Sequence, residues 1–407
     1  MNVLFMTLLD FSSIDVRCIY TDLMRCFVEK GHHVHIISPL EKRKNSQTLM
    51  IDENNCKILK LQIGNIQKTG IIEKGITTLT LQKKYIDAIK KYFVGVKFDL
   101  VIYSTPPITL YKAVNFIKKR DNAKAYLMLK DVFPQNAVDL GMLKKSGVKG
   151  LVYKYFRSKE KKLYKLSDYI GCMSKANVDY ILKNNPDIPS DKVEICPNSV
   201  EPVHCVKDCK RIIETANKYN IPSDKTVFIY GGNIGKPQGV NFLIDCLKAN
   251  FKNEKVFFVI AGSGTEFGKL LCFIADEKPE NVLLIKEIPV DEYETLVKSC
   301  DVGLIFLDNR FTIPNFPSRL LSYMQAAIPV LAATDINTDI RQTIEEGDFG
   351  LWCESGDLNF FNTHVNKLCD INLRMKFGEN ARRYFEKNFT SKLSYKIIMQ
   401  HFNGRDK

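Results

Sequence analysis

Short, almost wholly apolar runs alternate with stretches of helical periodicity along most of this chain, and they do so in two series. The first series of runs lies at residues 3–6, 34–37, 100–103, 125–129, 169–173 and 193–196. The second lies at 227–230, 256–260, 282–285, 302–306 and 330–333. A strand that is apolar throughout has no face for water, so such runs belong in a parallel sheet covered on both sides by the intervening helices. A polar stretch from 198 to 224, carrying Pro202 and Pro222, separates the two series. The pattern predicts an α/β chain of two doubly wound, Rossmann-like domains, 1–200 and 201–385. Residues 386–407 read as a C-terminal helix that packs back across the domains.

Helices are predicted at 16–28, 151–166 and 210–219, and through the tail from 372 to 402. The first carries Val16, Ile19, Tyr20, Leu23, Met24, Phe27 and Val28 on one face and is closed by Gly31. With 407 residues, 45% of them hydrophobic, the chain can fill two cores. Its twelve cysteines are scattered. The nearest ligand-like pair, Cys205 and Cys209, lacks a second pair or a histidine cluster, so the thiols read as reduced and mostly buried. His32, His33 and His35 cluster at the back of a helix and strand, away from the strand ends where ligands sit, and no metal is expected there. No apolar run reaches about 18 residues, and the first residues show neither a basic region nor a cleavage site, so a cytoplasmic protein is expected.

The formal net charge of +13 calls for an anionic partner: a phosphorylated substrate, a membrane surface or nucleic acid. No helix-turn-helix, zinc-finger or aromatic-basic sheet signature supports nucleic acid. Residues 144–165 hold nine lysines and arginines against Glu160 alone, interleaved with Leu151, Val152, Tyr155, Phe156 and Leu163. Such a segment suits an anionic membrane surface; a solvated charged face is the plainer alternative.

In doubly wound sheets ligands sit beyond the carboxyl ends of the strands. After the first strand of the second series comes Gly231-Gly232-Asn233-Ile234-Gly235-Lys236-Pro237-Gln238-Gly239, and after the next, Ala261-Gly262-Ser263-Gly264. Two glycine turns on adjacent strand ends suit one diphosphate, although a tight strand-to-helix turn without a ligand has the same look. Neither is a Walker loop. Pro317-Ser318-Arg319 opens a helix after the strand at 302–306. A cation in a first helical turn opposes the helix dipole unless an anion offsets it, which makes Arg319 the best candidate phosphate ligand. In the first series, Asp131 follows the strand at 125–129, where it could hold an acceptor hydroxyl, act as a base, or simply cap a turn.

These pieces, in this order, resemble family 4 glycosyltransferases of the GT-B architecture along nearly the whole chain. The resemblance is carried by Ile19-Tyr20-Thr21-Asp22-Leu23, Gly31-His32-His33-Val34, Asp131-Val132-Phe133-Pro134 and Pro197-Asn198. It continues through Gly232-Asn233-Ile234 with Gln238-Gly239, and through residues 316–324 followed by Ile328-Pro329-Val330. It implies two domains facing across a cleft and a hexosyl transfer that retains anomeric configuration without a metal or other cofactor. The branch it is most similar to makes capsule, O-antigen and exopolysaccharide, moving N-acetylated amino or deoxyamino sugars from UDP donors to lipid-linked saccharides. That would place the protein in the cytoplasm, peripheral on the inner face of the membrane.

The resemblance also implies a donor site of Gly232, Asn233, Gly235, Lys236, Gln238, Gly262, Gly264, Ser318, Arg319 and Ser322. The acceptor site would comprise Ser12, Ser13, Arg17, Asp131 and Phe133, with Asp131 and Arg319 at the chemistry. The sequence departs from the family in two places. The family's glutamate pair falls at Pro314 and Ser322, and its Arg and Lys clamp falls at Asn233 and Gln238. Arg319, helped by Lys236, is then the replacement cation, and Asp308 a carboxylate that could compensate. The rival readings are a catalytically inactive binding protein of this shape and a sugar-nucleotide epimerase.

Overall fold

The computed structural model describes residues 1–66, 69–203 and 209–402. The chain divides into two compact units, Met1–Glu201 with Ser391–Lys407, and Pro202–Thr390.

The first unit is built on eight strands: β1 (Asn2–Met6), β2 (His33–Glu41), β3 (Leu49–Glu53), β4 (Cys56–Ile63), β5 (Leu100–Ser104), β6 (Lys124–Leu129), β7 (Tyr169–Cys172) and β8 (Val193–Ile195). Their order across the sheet is β3-β4-β2-β1-β5-β6-β7-β8. Only β3 runs antiparallel to its neighbour, β4. The central strands are buried at almost every position, as a sheet covered on both faces requires. Val3, Phe5, Leu23, Phe27, Ile36 and Ile102 meet in one core that also takes in Ile398 and Met399 from the helix Ser391–Met399.

The second unit holds β9 (Thr226–Gly231), β10 (Val256–Ala261), β11 (Val282–Ile285), β12 (Val302–Phe306), β13 (Val330–Thr334) and β14 (Gly350–Glu354). They lie in the order β11-β10-β9-β12-β13-β14, all parallel. Phe228, Tyr230, Phe258, Phe306 and Phe361 anchor its core. The helix Ile371–Asn388 runs past residue 385 and belongs to this unit.

Several local expectations need correction. The first helix runs Thr21–Glu29, and Val16, counted on its apolar face, is 48% exposed. Residues ahead of Thr21 form a turn instead, because the Cys18 N–H donates to Thr21 Oγ1 at 3.0 Å and to Asp22 Oδ1 at 3.3 Å. The hairpin β3–β4 was not anticipated: Lys57 and Lys60 break its apolar run, and Asn54 and Asn55 supply its left-handed turn. The helix Ile71–Tyr92 and strand β14 were likewise missed. The basic segment forms one helix, Gly147–Leu166, four residues longer at its start than expected. Of the Cys205/Cys209 pair, Cys205 lies outside the described residues, and Cys209 is exposed.

Candidate functional site

In the second unit the two glycine turns form one structure. The Gly232 N–H donates to Ala261 O at 2.9 Å and Ile234 N–H to Ser263 O at 3.0 Å, extending the β9–β10 ladder beyond the strand ends. A Cβ on Gly262 would lie 1.8 Å from Gly232 O, and one on Gly264 2.2 Å from Ile234 O, so only glycine lets the turns approach this closely. Gln238 closes the first turn: its Oε1 accepts from Asn233 Nδ2 at 2.9 Å and from Gly235 N–H at 3.1 Å. Where the resemblance places two cations, Asn233 and Gln238 therefore bind each other. Several N–H groups of the turns are used internally, Gly262 N–H by Ile285 O among them. Those of Asn233, Ser263 and Gly264 have no partner among the described residues.

Arg319 begins the seven-residue helix Arg319–Gln325. Its guanidinium carbon lies 4.2 Å from the centre of the Tyr230 ring, and its Nη2 is 3.7 Å from where a Gly232 Cβ would be. The side chain is half-buried, its Nη1 is enclosed and without a hydrogen-bond partner, and no carboxylate pairs with it among the described residues. An enclosed guanidinium N–H with nothing to donate to is costly, and Nη2, on the Gly232 side, is the nitrogen an anionic ligand there would meet. Ser322 is one turn along the same helix, whereas Ser318 is exposed and its side chain makes no cap.

Lys236 lines a polar pocket of about 490 Å³ with Glu266, Lys269, Asp308 and Arg310. Asp308 is fully engaged there, taking Arg310 Nε at 2.7 Å and Nη2 at 2.8 Å. Burial alone would raise its carboxyl, yet these bonds hold it below the usual carboxylate range.

In the first unit Asp131 follows β6. Its Oδ1 accepts from Asn136 Nδ2 at 2.7 Å, and its backbone is tied on both sides to the Thr105 hydroxyl. Burial pushes the carboxyl up to about 6, against the lowering effect of the Asn136 and Val132 donors. Phe133 packs edge-on against Phe156, ring centres 5.1 Å apart. The loop after β1 is pinned by Ser38, which accepts from Phe11 N–H at 3.1 Å and donates to Leu9 O at 2.9 Å, and by Lys60, which meets Asp10. Ser12 is exposed on this loop, while Ser13 donates to Glu53 Oε2 at 3.1 Å. Arg17 donates to Glu201 O at 2.7 Å beside Asp22.

The helix Gly147–Leu166 buries Glu160, Leu163 and Tyr164 and turns Val148, Leu151, Val152 and Tyr155 outward, Val148 being 81% exposed. Beside it lies a cleft of about 740 Å³ whose lining includes Lys154, Lys161, Lys162, Lys165 and Lys192. The histidines do not form a cluster of ligands: His35 is buried edge-on to Phe93 and Phe98, and burial lowers it to about 4, while His32 meets the Tyr395 hydroxyl. Among the described residues no helix is long and apolar enough to cross a membrane.

Sequence reasoning passed over Tyr230, Tyr293 and Tyr323, which surround Arg319, and Asn136, which orients Asp131. Tyr230 directly precedes the glycine turn and Tyr323 stands four residues after Arg319, so both had a positional signal; Tyr293 had none.

Comparisons with known proteins bear on the fold and the activity. The pattern of Glycosyl transferases group 1 matches residues 212–384. A Pseudomonas aeruginosa protein named "Probable glycosyltransferase WbjE" is 23% identical over 333 residues, 80% of this chain and 79% of that one. Among solved structures, Anabaena Alr3699/HepE in complex with UDP-glucose superposes with a TM-score of 0.70 at 12% identity, covering 99% of each chain. WaaG, a glycosyltransferase involved in lipopolysaccharide biosynthesis, does so with a TM-score of 0.66 at 14% identity, over 99% of this chain and 100% of that one. At such identities the structural likeness bears on the fold, and the sequence matches bear on the activity. This chain is a glycosyltransferase of GT-B fold, and its second unit holds the residues that match Glycosyl transferases group 1.

Proposed function

We propose that the second unit binds a UDP-sugar with its diphosphate between the glycine turns and Arg319, and that the first unit offers a saccharide hydroxyl near Asp131. The Arg319 guanidinium, without a carboxylate partner among the described residues and with Nη2 on the Gly232 side, carries this reading. HepE, a structural neighbour, was solved with UDP-glucose, which supports a nucleotide-sugar donor.

In the reaction, the bond from the anomeric carbon to the UDP oxygen breaks and a bond from that carbon to the acceptor oxygen forms. The acceptor proton passes to the departing diphosphate. Charge accumulates on the leaving phosphate, where Arg319 and the free N–H groups of Asn233, Ser263 and Gly264 can stabilise it without a metal. With the leaving group taking the proton on the face it departs from, anomeric configuration is retained. Asp131 then orients the hydroxyl and is not required as a base.

The proposed sugar is an N-acetylated amino or deoxyamino hexose, and the proposed acceptor a lipid-linked saccharide in bacterial surface polysaccharide synthesis. WaaG acts in lipopolysaccharide biosynthesis, and its likeness supports this class. The exposed apolar face of Gly147–Leu166, flanked by its lysines, suits peripheral docking on an anionic membrane that would carry such an acceptor.

The test is thermal stabilisation of the purified protein by UDP, GDP, ADP and TDP, repeated with Arg319→Ala and in EDTA. A shift with UDP that EDTA leaves intact and Arg319→Ala removes supports the reading. A shift confined to GDP replaces UDP as the donor nucleotide, and no shift with any nucleotide refutes the site.

A further inference from the structure

Five other half-buried arginines among the described residues, Arg17, Arg25, Arg157, Arg374 and Arg382, each lie within 4.0 Å of a carboxylate. Arg319 is oriented differently. Its guanidinium stacks over Tyr230, whose own hydroxyl is fixed by donating to Asn233 O at 2.6 Å. Tyr323, on the same helix, accepts from Gly231 N–H at 3.3 Å and donates to Leu304 O at 3.1 Å, tying that helix to the end of β9 and the middle of β12. The Tyr293 hydroxyl packs so closely beneath Gly231 that a Cβ there would lie 2.0 Å from it. Tyr230 and Tyr323 are fully buried and Tyr293 half-buried, all three close to the guanidinium.

A carboxylate partner would orient an arginine but also neutralise it, and would repel a phosphate. An aromatic face orients the guanidinium through its ring electrons and leaves the full charge available. We infer that Tyr230 is a positioning residue for the donor: its ring holds Arg319 beside Gly232 as an oriented, uncompensated cation, in place of the missing two-cation clamp. This rests on the diphosphate reading of the site, and it adds a residue whose effect passes entirely through Arg319.

The experiment measures affinity for UDP and for inorganic pyrophosphate by calorimetry in the intact chain, with Tyr230→Phe, Tyr230→Leu, Arg319→Ala and the Tyr230→Leu/Arg319→Ala double variant. Tyr230→Phe keeps the ring and is expected to bind both probes within about threefold of the parent. Tyr230→Leu is expected to weaken both about tenfold, and to add nothing once Arg319 is alanine. Tyr230→Met serves in its place if the leucine variant does not melt cooperatively. A loss in Tyr230→Phe equal to that in Tyr230→Leu would assign the effect to the hydroxyl's contacts with Asn233 and Arg319 and not to the ring, and a loss that persists without Arg319 would assign it to the turn; either overturns the inference. If Arg319→Ala weakens UDP binding while Tyr230→Leu does not, the inference fails and the donor site stands. If the parent protein binds neither probe, both fail.

Discussion

Gly262 and Gly232 stand in such close register that a single methyl group on Gly262 would come within 1.8 Å of the Gly232 carbonyl oxygen. The contact is backbone to backbone, Gly262 sits at φ +153°, and neither turn can yield without breaking the bonds that extend β9 and β10. Gly262→Ala is therefore expected to destabilise the fold by about 2–4 kcal/mol and to abolish nucleotide binding. Gly268, inside the helix Phe267–Glu277 with nothing within 4 Å of an added Cβ, is the control: Gly268→Ala should stabilise by about 0.5–1 kcal/mol. Denaturant midpoints of the two variants decide between them.

The amide pair of Gln238 and Asn233 sits where the resemblance expects two cations, and its role follows from geometry. Gln238→Ala removes bonds to Asn233 and to the Gly235 N–H on a partly exposed turn, so the expected cost is about 1 kcal/mol in stability. Because the turn frames the phosphate position, UDP affinity should fall by more than the melting temperature suggests. Gln238→Glu keeps an acceptor for both donors and adds a negative charge, and should retain stability while still losing UDP affinity.

Asp131 offers a pH-dependent test. Its folded pKa of about 6 lies above the unfolded value of about 3.9. Between these values the folded state binds more protons than the unfolded state, so stability falls as pH rises from about 4 to about 6. The penalty is full above about 6 and absent below about 4. Asp131→Asn keeps an oxygen for Asn136 and removes the charge. It should melt higher than the parent at pH 7.5, by up to about 3 kcal/mol in stability, with the gap closing towards pH 4. Transfer activity should fall at the same time, with the acceptor KM rising, if Asp131 orients the hydroxyl.

On the helix Gly147–Leu166, Val148→Asp and Leu151→Glu alter side chains that contribute little to the core. Neither should change stability by more than about 0.5 kcal/mol. Both should lower co-sedimentation with vesicles containing anionic lipid, while binding to neutral vesicles is weak throughout. Equal binding of parent and variants to anionic vesicles would leave the lysines as a solvated face.

Much of the fold was legible because strands buried on both faces must be apolar throughout, and eleven of the strands announce themselves that way. Those missed lie towards sheet edges: β3 and β14 are only partly buried, and β4, though mostly buried, has its apolar run broken by Lys57 and Lys60. The glycine turns and Arg319 were legible because their residue types are unusual at strand ends and first helical turns. Arg319's surroundings were legible only in part: Tyr230 precedes the turn and Tyr323 stands on Arg319's own helix, whereas Tyr293 comes from a separate helix that only packing brings in. Lys236, adjacent to the turn in sequence, lines a polar pocket in which Asp308 is already committed to Arg310.

The central claim is that Arg319, the cation left unpaired beside the glycine turns, binds the donor's diphosphate. Titration calorimetry of UDP against the parent protein and Arg319→Ala tests it most directly. The account predicts that UDP binds the parent and that the variant loses about 10- to 100-fold in affinity, the worth of a charge-assisted bond to phosphate, with an unchanged melting temperature in the absence of nucleotide. Equal UDP affinity in parent and variant would contradict it.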